Sequence, residues 1–161
     1  MSADQASGYG LPFEGLRVVE LGNVIAGPLC GSLLADFGAE IVKIERPDGG
    51  DAGRQLGLEV DGLSVWWGVG VRDKQCVTLD LKEPDDRERL MTLVRDADVL
   101  IENNRPGALD RLGIGWHDLR QVNPDLVMIS ISGFGQTGPM APVPGFGKIA
   151  EAFSGIVPLT G

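Results

Sequence analysis

Histidine and cysteine are scarce in this sequence, which limits the chemistry that the chain can carry. The 161 residues include one histidine, His117, and two cysteines, Cys30 and Cys76. One histidine without a cysteine cluster leaves no metal site to propose. The cysteines lie far apart in apolar contexts, on a predicted helix and a predicted strand, so we expect two buried thiols rather than a disulfide. The neighbours Trp116 and Leu119 favour helix packing for His117 over a role in a Ser-His-Asp triad.

Long apolar runs and a secretory signal are also missing. No run approaches the roughly 18–20 residues of a membrane span, so no membrane is expected as a partner. The N-terminus is polar and rich in Gly and Ser, and we interpret residues 1–11 as a flexible leader. The expected compartment is therefore the cytoplasm. Residues 12–161 are predicted to form one domain, the N-terminal part of a larger enzyme, because a new amphipathic element opens at Pro144, shortly before the sequence ends.

Positive charge is limited overall but is concentrated at particular places. The formal net charge is −9, which argues against nucleic acid as the main partner. Several cations nevertheless lie at or just after predicted strands, or in the loops that join strands to helices, where they could hold a small polyanion. Solvated surface charge is the alternative for each of them. These cations are Lys43, Arg46, Arg72, Lys74, Lys82, Arg105 and Arg111.

Strands alternate with helices along most of the chain. Residues 16–21 form a short, mostly apolar run, as expected of a strand buried on both faces. A helix follows, with Pro28 at its predicted first position and with Leu29, Leu33 and Phe37 at four-residue spacing. Further strands are predicted over 40–45, 75–81, 98–102 and 126–131, and further helices over 64–69, from 84 onwards, over 108–112 and over 116–122. This alternation predicts an α/β fold with a Rossmann-like, doubly wound, mainly parallel sheet, truncated before a second domain.

Ligands bind such sheets beyond the carboxyl ends of the strands, near a switch in strand order. The first loop lacks G-x-G-x-x-G, but the small residues Ala26 and Gly27 would let a ligand approach backbone N–H groups at a helix N-terminus. Close helix–sheet packing is the alternative explanation of these small residues. Glu45 could bind ribose hydroxyls as in NAD sites, but Arg46 beside it suits a ribose phosphate, as found in CoA and NADP. The loops predicted to hold a ligand are residues 23–28, 46–51, 79–82, 103–105 and 132–139.

Several ordered segments carry a resemblance to a known family. They are VIAGPLC (24–30), LADFGAEIVKIERP (34–47), ADVLIEN (97–103), PGALDRLG (106–113), NP (123–124) and SISGFGQTGP (130–139). Together they resemble the class III CoA-transferase family, also called the CaiB/BaiF type. That family includes formyl-CoA transferases, carnitine CoA-transferases and α-methylacyl-CoA racemases.

The resemblance implies that coenzyme A, or its acyl thioester, binds this chain as a substrate. It also implies a smaller C-terminal domain and a homodimer of two interlocked chains. Ile25 and Ala26 would border the thioester end of CoA, and Arg46 would meet the 3′-phosphate and adenosine. The other implied contacts are Leu79 to Lys82 on the adenine side, Asn103, Asn104 and Arg105 along the pantetheine–diphosphate path, and Arg111 at a phosphate.

The resemblance also implies acyl transfer to a carboxylic acid through an aspartyl-CoA thioester. The nucleophilic Asp is expected beyond Gly161, so we expect no catalytic residue within this sequence. Ile25 stands where formyl-type transferases often carry Gln, and Phe146 and Gly147 stand where racemases carry a His-Asp pair. A racemase-like enzyme is therefore the first alternative. A non-catalytic CoA-binding fragment and a dinucleotide-binding oxidoreductase domain are the others.

The sequence also predicts apolar surface left open for packing. Trp66, Trp67, Phe146 and Phe153 lie in segments that we expect to pack on further chain or on a partner subunit.

Overall fold

The computed structural model describes residues 10–160. Nearly all of the predicted leader, residues 1–11, therefore lies outside the described residues. Single turns of 3₁₀-helix occur at Ala52–Gln55 and Asp110–Leu112. In chain order the other elements are β1 (Arg17–Glu20), α1 (Ala26–Asp36), β2 (Glu40–Glu45), β3 (Glu59–Val60), β4 (Leu63–Ser64), α2 (Val65–Gly70), β5 (Lys74–Thr78), α3 (Pro84–Arg95), β6 (Val99–Glu102), α4 (Trp116–Val122), β7 (Val127–Ser130), α5 (Gly147–Ser154) and α6 (Val157–Thr160).

The main sheet has five strands in the order β5-β2-β1-β6-β7. Every neighbouring pair in it is parallel. The first strand, β1, pairs with β2 on one side and with β6 on the other, so the strand order reverses between β1 and β6. This arrangement confirms the predicted α/β, doubly wound sheet and fixes its switch point. A separate two-stranded hairpin, β3–β4, was not predicted.

One face of the sheet is covered by α3 and α4 and is mainly apolar, with the buried carboxylate of Glu102 at the end of β6. The helix α3 begins with Pro84, carries Asp85 and Asp86 in its first turn and ends at Arg95, which suits the helix dipole at both ends. The buried residues of this core include Val19, Leu21, Ile44, Leu79, Leu90, Val94, Leu100, Leu109, Ile114, Leu119 and Leu126.

The opposite face is covered by α1. The apolar residues whose spacing predicted this helix, Leu29, Leu33 and Phe37, do not pack on the sheet, since each side chain is about half exposed, at 52%, 51% and 51%. The helix instead buries small residues against the sheet, namely Gly27, Pro28, Gly31, Ser32 and Ala35. Small residues bring the helix axis close to the strands, so the larger apolar side chains point outwards.

Two expectations need correction, one on the start of α1 and one on the burial of the cysteines. Pro28 lies at the third position of α1 rather than the first, because the helix already begins at Ala26. Cys76 is exposed and Cys30 half-buried, not both buried. The reason for Cys76 is that β5 lies at the edge of the sheet, where most of its residues face solvent.

Apolar side chains on the outside of the fold match the predicted open surface in part. Trp66, Phe146 and Phe153 are exposed as expected, whereas Trp67 is half-buried under the guanidinium of Arg54. Within residues 10–160, no helix has both the length and the hydrophobicity required to cross a membrane.

Candidate functional site

A cleft of about 440 Å³ opens at the carboxyl ends of β1, β2 and β5, beside the switch point. Its apolar wall is built by residues at or just beyond strand ends and by the 3₁₀-turn at Asp110–Leu112. Its polar groups come from the loops. Six of the predicted site residues line this cleft: Arg46, Asn104 and the four residues from Leu79 to Lys82. The other lining residues are Leu21, Asn23, Ile44, Glu45, Ala52, Leu109 and Leu112.

The cations of this cleft remain available to an anion. Nε of Arg46 donates to the carbonyl oxygen of Gly50 at 2.9 Å, which orients the side chain. Within residues 10–160, neither Arg46 nor Lys82 forms an ion pair with a carboxylate. An arginine and a lysine on the rim of a partly apolar cleft suit a ligand that combines a flat ring with phosphate groups.

Three other predicted cations are already paired within the protein. Nζ of Lys43 lies 2.9 Å from Glu20, and Nζ of Lys74 lies 2.8 Å from the other oxygen of the same carboxylate. Both lysine side chains are almost fully buried. Arg72 forms an ion pair with Asp36 on the surface. These three cations therefore already have carboxylate partners within the protein, and fewer of the predicted cations are available to a ligand.

Arg105 and Arg111 lie apart from the first cleft. Arg105 lines a second cleft of about 460 Å³, together with Glu102, Trp116, Ser130 and Gln136 among others. Arg111 is exposed on the 3₁₀-turn after β6. The structure thus brings Arg46 and Lys82 to one cleft but not the two later arginines.

Glu45 does not have the role that an NAD site would need. Its carboxylate accepts hydrogen bonds from Nε and Nη2 of Arg54, at 2.7 and 2.9 Å, and from the N–H of Asp51 at 3.0 Å. Burial acts to raise the pKa of Glu45, but the hydrogen bonds from Arg54 and Asp51 outweigh it and lower the pKa to about 2. Because the Glu45 side chain is 4% exposed and three of its lone-pair sites already accept hydrogen bonds, it has little capacity left to bind ribose hydroxyls.

The side chain of Asn103 joins the loops on the two sides of the switch point. Its Oδ1 accepts the N–H of Asn23 at 2.7 Å, and its Nδ2 donates to the carbonyl oxygen of Asn23 at 2.8 Å. Asn103 was predicted on the pantetheine–diphosphate path. The structure shows its carboxamide bonded to the backbone of Asn23, while Asn104 lines the cleft.

The turn between β1 and α1 is built from very close backbone contacts. A Cβ added to Gly27 would lie 2.7 Å from the Cα of Gly22, so both positions require glycine. This supports the packing explanation of the small residues without removing the other. Ile25 and Ala26 are exposed at the start of α1, and no side chain caps the helix there. Its first N–H groups therefore remain open to a ligand.

Several cleft residues were not singled out from the sequence. Leu109 and Leu112 form part of the apolar wall, and their spacing of three along a short turn was the signal that could have found them. Asp51 is a buried carboxylate after β2 that contacts the β1–α1 turn. No local pattern marks it, because its partners are distant in sequence. Residues 10–160 hold no group of three or more His, Cys, Asp or Glu side chains arranged to bind a metal ion.

A parallel, doubly wound sheet with a cleft at the carboxyl ends of its strands is an architecture shared by many nucleotide-binding domains. Comparison with known proteins identifies it more narrowly, since the family model "CoA-transferase family III" matches residues 13–161. The chain belongs to this family.

Individual relatives agree with the family. The chain is 48% identical over 151 residues to succinyl-CoA–D-citramalate CoA-transferase of Chloroflexus aurantiacus, which covers 93% of this chain and 38% of that protein. It is 45% identical over 150 residues to acetyl-CoA:oxalate CoA-transferase of Acetobacter aceti, with 93% and 39% covered. A solved CaiB/BaiF family protein from Brucella suis matches with a TM-score of 0.86 and 38% identity, covering 92% of this chain and 40% of that one. The chain thus spans about two fifths of the length of these relatives.

Proposed function

We propose that this chain supplies the CoA-binding part of a CoA-transferase that moves CoA between an acyl-CoA thioester and a carboxylic acid. The observation that carries the proposal is the cleft beside the switch point, which Arg46 and Lys82 line without a carboxylate partner in the described part of the chain. Membership of the CoA-transferase family supports the same conclusion.

The two ends of CoA would occupy different parts of the carboxyl edge of the sheet. Arg46 and Lys82 would meet the phosphate-bearing adenosine, and Leu79 would contact the adenine ring. Ile25 and Ala26 would border the thioester at the uncapped start of α1. The remaining proposed contacts, on the pantetheine–diphosphate path and at a phosphate, are Asn103, Asn104, Arg105 and Arg111.

The proposed transfer proceeds through an aspartyl-CoA thioester, whose nucleophilic Asp we place outside residues 1–161. Its carboxylate would attack the acyl-CoA thioester and expel the CoA thiolate, giving a mixed anhydride. The thiolate would then attack the aspartyl carbonyl and release the donor carboxylate, which leaves the aspartyl-CoA thioester. An incoming carboxylate would reverse these two steps: it would expel the thiolate to form a second mixed anhydride, and the thiolate would then attack the acceptor's carbonyl to give the new acyl-CoA and the free Asp. Phe146 and Gly147 support a transferase over a racemase, because neither side chain can take a proton. Residues 1–161 alone should therefore not turn over acyl-CoA, and CoA exchange catalysed by them would contradict this placement.

We also propose that the full enzyme is a homodimer that works in the cytoplasm. The exposed apolar side chains of α1 and α2, including Leu29, Leu33 and Trp66, support further packing against this surface. Two relatives in Chloroflexus aurantiacus are the alpha and beta subunits of a succinyl-CoA–L-malate CoA-transferase. A partner chain of the same family is therefore the counterpart that this surface would fit.

Calorimetric titration with CoA and with dephospho-CoA tests the proposed site. Arg46→Ala should lower the affinity for CoA about 10-fold or more and the affinity for dephospho-CoA much less, since the lost guanidinium would contact the 3′-phosphate. Arg95→Ala is the matched control, because Arg95 is exposed at the end of α3, by the amino ends of the strands. An equal loss of affinity for both ligands would show that Arg46 does not contact the 3′-phosphate. No binding of CoA to the unmodified chain would overturn the proposed function.

A further inference from the structure

Val24 has an unusual backbone conformation at the point where the β1–α1 turn meets the helix. Its φ is 66°, in the left-handed region. That region is sterically disfavoured for β-branched residues, so something must hold Val24 in it. Ile25 and Ala26, the residues proposed to border the thioester, follow immediately. The conformation of Val24 therefore sets the direction in which these two residues leave the turn.

Asp51 is the residue that holds Val24. Its Oδ1 accepts the N–H of Val24 at 2.8 Å and the N–H of Gly53 at 2.8 Å. Its other oxygen, Oδ2, lies 2.8 Å from Nζ of Lys43, and the Asp51 side chain is 1% exposed. A buried carboxylate with a cation on one oxygen and two backbone donors on the other is firmly fixed in position.

The same buried charges hold the turn at two further points. Nζ of Lys43 donates to the carbonyl oxygen of Gly22 at 2.7 Å, and Nζ of Lys74 donates to the carbonyl oxygen of Pro28 at 2.6 Å. Glu20 joins the two lysines, at 2.9 and 2.8 Å. We name these four side chains, Glu20, Lys43, Asp51 and Lys74, the ionic cluster.

The ionic cluster balances its charge and lies under the turn. It contains two carboxylates and two ammonium groups, so no net charge is buried. Burial acts to lower the pKa of Lys43, but the carboxylates of Glu20 and Asp51 outweigh it and raise the pKa, so this lysine stays charged at neutral pH. The turn is thus fixed from beneath at Gly22, Val24 and Pro28, while its outer surface remains open.

We propose that Asp51 is a positioning residue, which holds Val24 in the left-handed conformation and thereby aims Ile25 and Ala26 at the thioester end of acyl-CoA. This inference rests on the proposed function, because it assumes that the turn meets the ligand. Strained residues persist where the surrounding structure over-determines them, and they cluster at ligand-binding sites. Here the ionic cluster supplies the contacts that hold Val24 in this conformation. Asp51 touches no ligand in this scheme and acts through Val24 alone.

Asp51→Asn tests the proposal with little change of shape. The neutral amide would accept the Val24 N–H more weakly, and its NH₂ group would face Nζ of Lys43, so the turn should relax. In the ligand-free chain, the amide proton signals of Val24 and Gly53 should move upfield in the NMR spectrum. Asp48→Asn is the matched control, because Asp48 is exposed in the same loop and its neutralisation should leave both signals in place.

Binding measurements then separate the two ends of the ligand. The probes are adenosine 3′,5′-bisphosphate, for the adenosine end, and a non-hydrolysable thioether analogue of an acyl-CoA. Asp51→Asn should lower the affinity for the thioether analogue about 10-fold while changing the affinity for the bisphosphate less than 2-fold. Arg46→Ala should weaken both probes, since both carry the adenosine phosphates.

A second substitution distinguishes positioning from a general loss of structure. Glycine adopts a positive φ without steric cost, so Val24→Gly removes the need for Asp51 to hold this residue. Adding Val24→Gly to Asp51→Asn should therefore restore most of the lost affinity for the thioether analogue. Rescue would not be expected if Asp51 served only to stabilise the fold.

The possible failures are distinguishable. If the unmodified chain binds neither probe, the proposed function is wrong, and the NMR signals still report whether Asp51 holds Val24. If both probes bind, but Asp51→Asn weakens them equally or Val24→Gly brings no rescue, the positioning role is wrong. If Asp51→Asn does not fold, Val24→Gly alone decides: retained affinity for the thioether analogue supports the requirement for a positive φ at this position, and its loss contradicts it.

Discussion

The two faces of the main sheet are built on different chemistry. On the face under α3 and α4, side chains such as Leu90, Leu100 and Leu119 are fully buried and entirely apolar. On the face under α1, the apolar residues Val18 and Ile41 occupy only part of the area. The ionic cluster and Glu45 occupy the rest, towards the carboxyl ends of the strands.

This difference indicates a division of roles between the faces. Burial of apolar surface stabilises a fold without fixing any one backbone atom. Buried ion pairs gain little net stability, because the cost of removing charges from water offsets their attraction. Their directional contacts to Gly22, Val24 and Pro28 instead fix a turn at the proposed ligand site. The apolar face supplies stability, and the ionic face supplies geometry.

Breaking the ionic cluster should have the largest effect. Glu20→Gln removes the carboxylate that both Lys43 and Lys74 contact and leaves an uncompensated positive charge in the interior. We expect the free energy of unfolding to fall by about 3–5 kcal/mol. Chemical denaturation measures it, with Glu40→Gln as control, since Glu40 is 65% exposed and 3.9 Å from Arg17. A loss below about 1 kcal/mol, the value of a surface pair, would show that the cluster is not effectively buried.

The outcome of sequence reasoning follows the same division. Strands and helices were predicted from apolar runs such as residues 16–21, and the parallel order followed from their alternation with helices. The ionic cluster was not predicted, because Glu20 and Lys74 are 54 residues apart and no local pattern links them. The four-residue spacing of Leu29 and Leu33 identified a helix but not which side faces the sheet.

The candidate site was predicted in outline for a related reason. Strand ends can be located from the sequence, so Arg46 and Lys82 were placed at the carboxyl edge of the sheet, where the structure has them. Whether a cation at that edge is free depends on partners from other elements. Lys43 therefore looked like a ligand-binding residue, although it is 1% exposed and paired with two carboxylates.

A cavity in the apolar face should be nearly as costly as a broken ionic cluster. Leu90 is 0% exposed, and Leu90→Ala should lower the free energy of unfolding by about 2–5 kcal/mol. Leu33→Ala, at a side chain that is 51% exposed on α1, should cost less than about 1 kcal/mol. Denaturant titration of both variants checks the comparison. Similar losses would mean that the outer side of α1 is covered in solution, for example by a second copy.

Acid should weaken the ionic face selectively through Glu45. Its folded pKa of about 2 lies below its ordinary value of 4.5, so its contribution to stability is complete above about pH 5. That contribution decreases as the pH falls through the folded pKa, by roughly 2–3 kcal/mol in total. Glu45→Gln should be less stable at pH 7 and should lose less stability between pH 5 and pH 2. Thermal melts of both proteins across this range test the sign, and parallel curves would contradict it.

The smallest expected effects compare two helix glycines, one with open space beside it and one packed against the ionic cluster. In a helix, Gly→Ala usually stabilises by about 0.5–1 kcal/mol, because glycine loses more backbone entropy on folding. Gly68 in α2 has open space around the position of a Cβ, so Gly68→Ala should follow this rule. Gly31 in α1 lies against the ionic cluster, where a Cβ would stand 2.1 Å from Oε2 of Glu20. Gly31→Ala should therefore destabilise, by about 1–3 kcal/mol. Differential scanning calorimetry of both variants measures the opposite signs, and stabilisation by both would mean that Glu20 yields without cost and that the ionic cluster does not fix the turn.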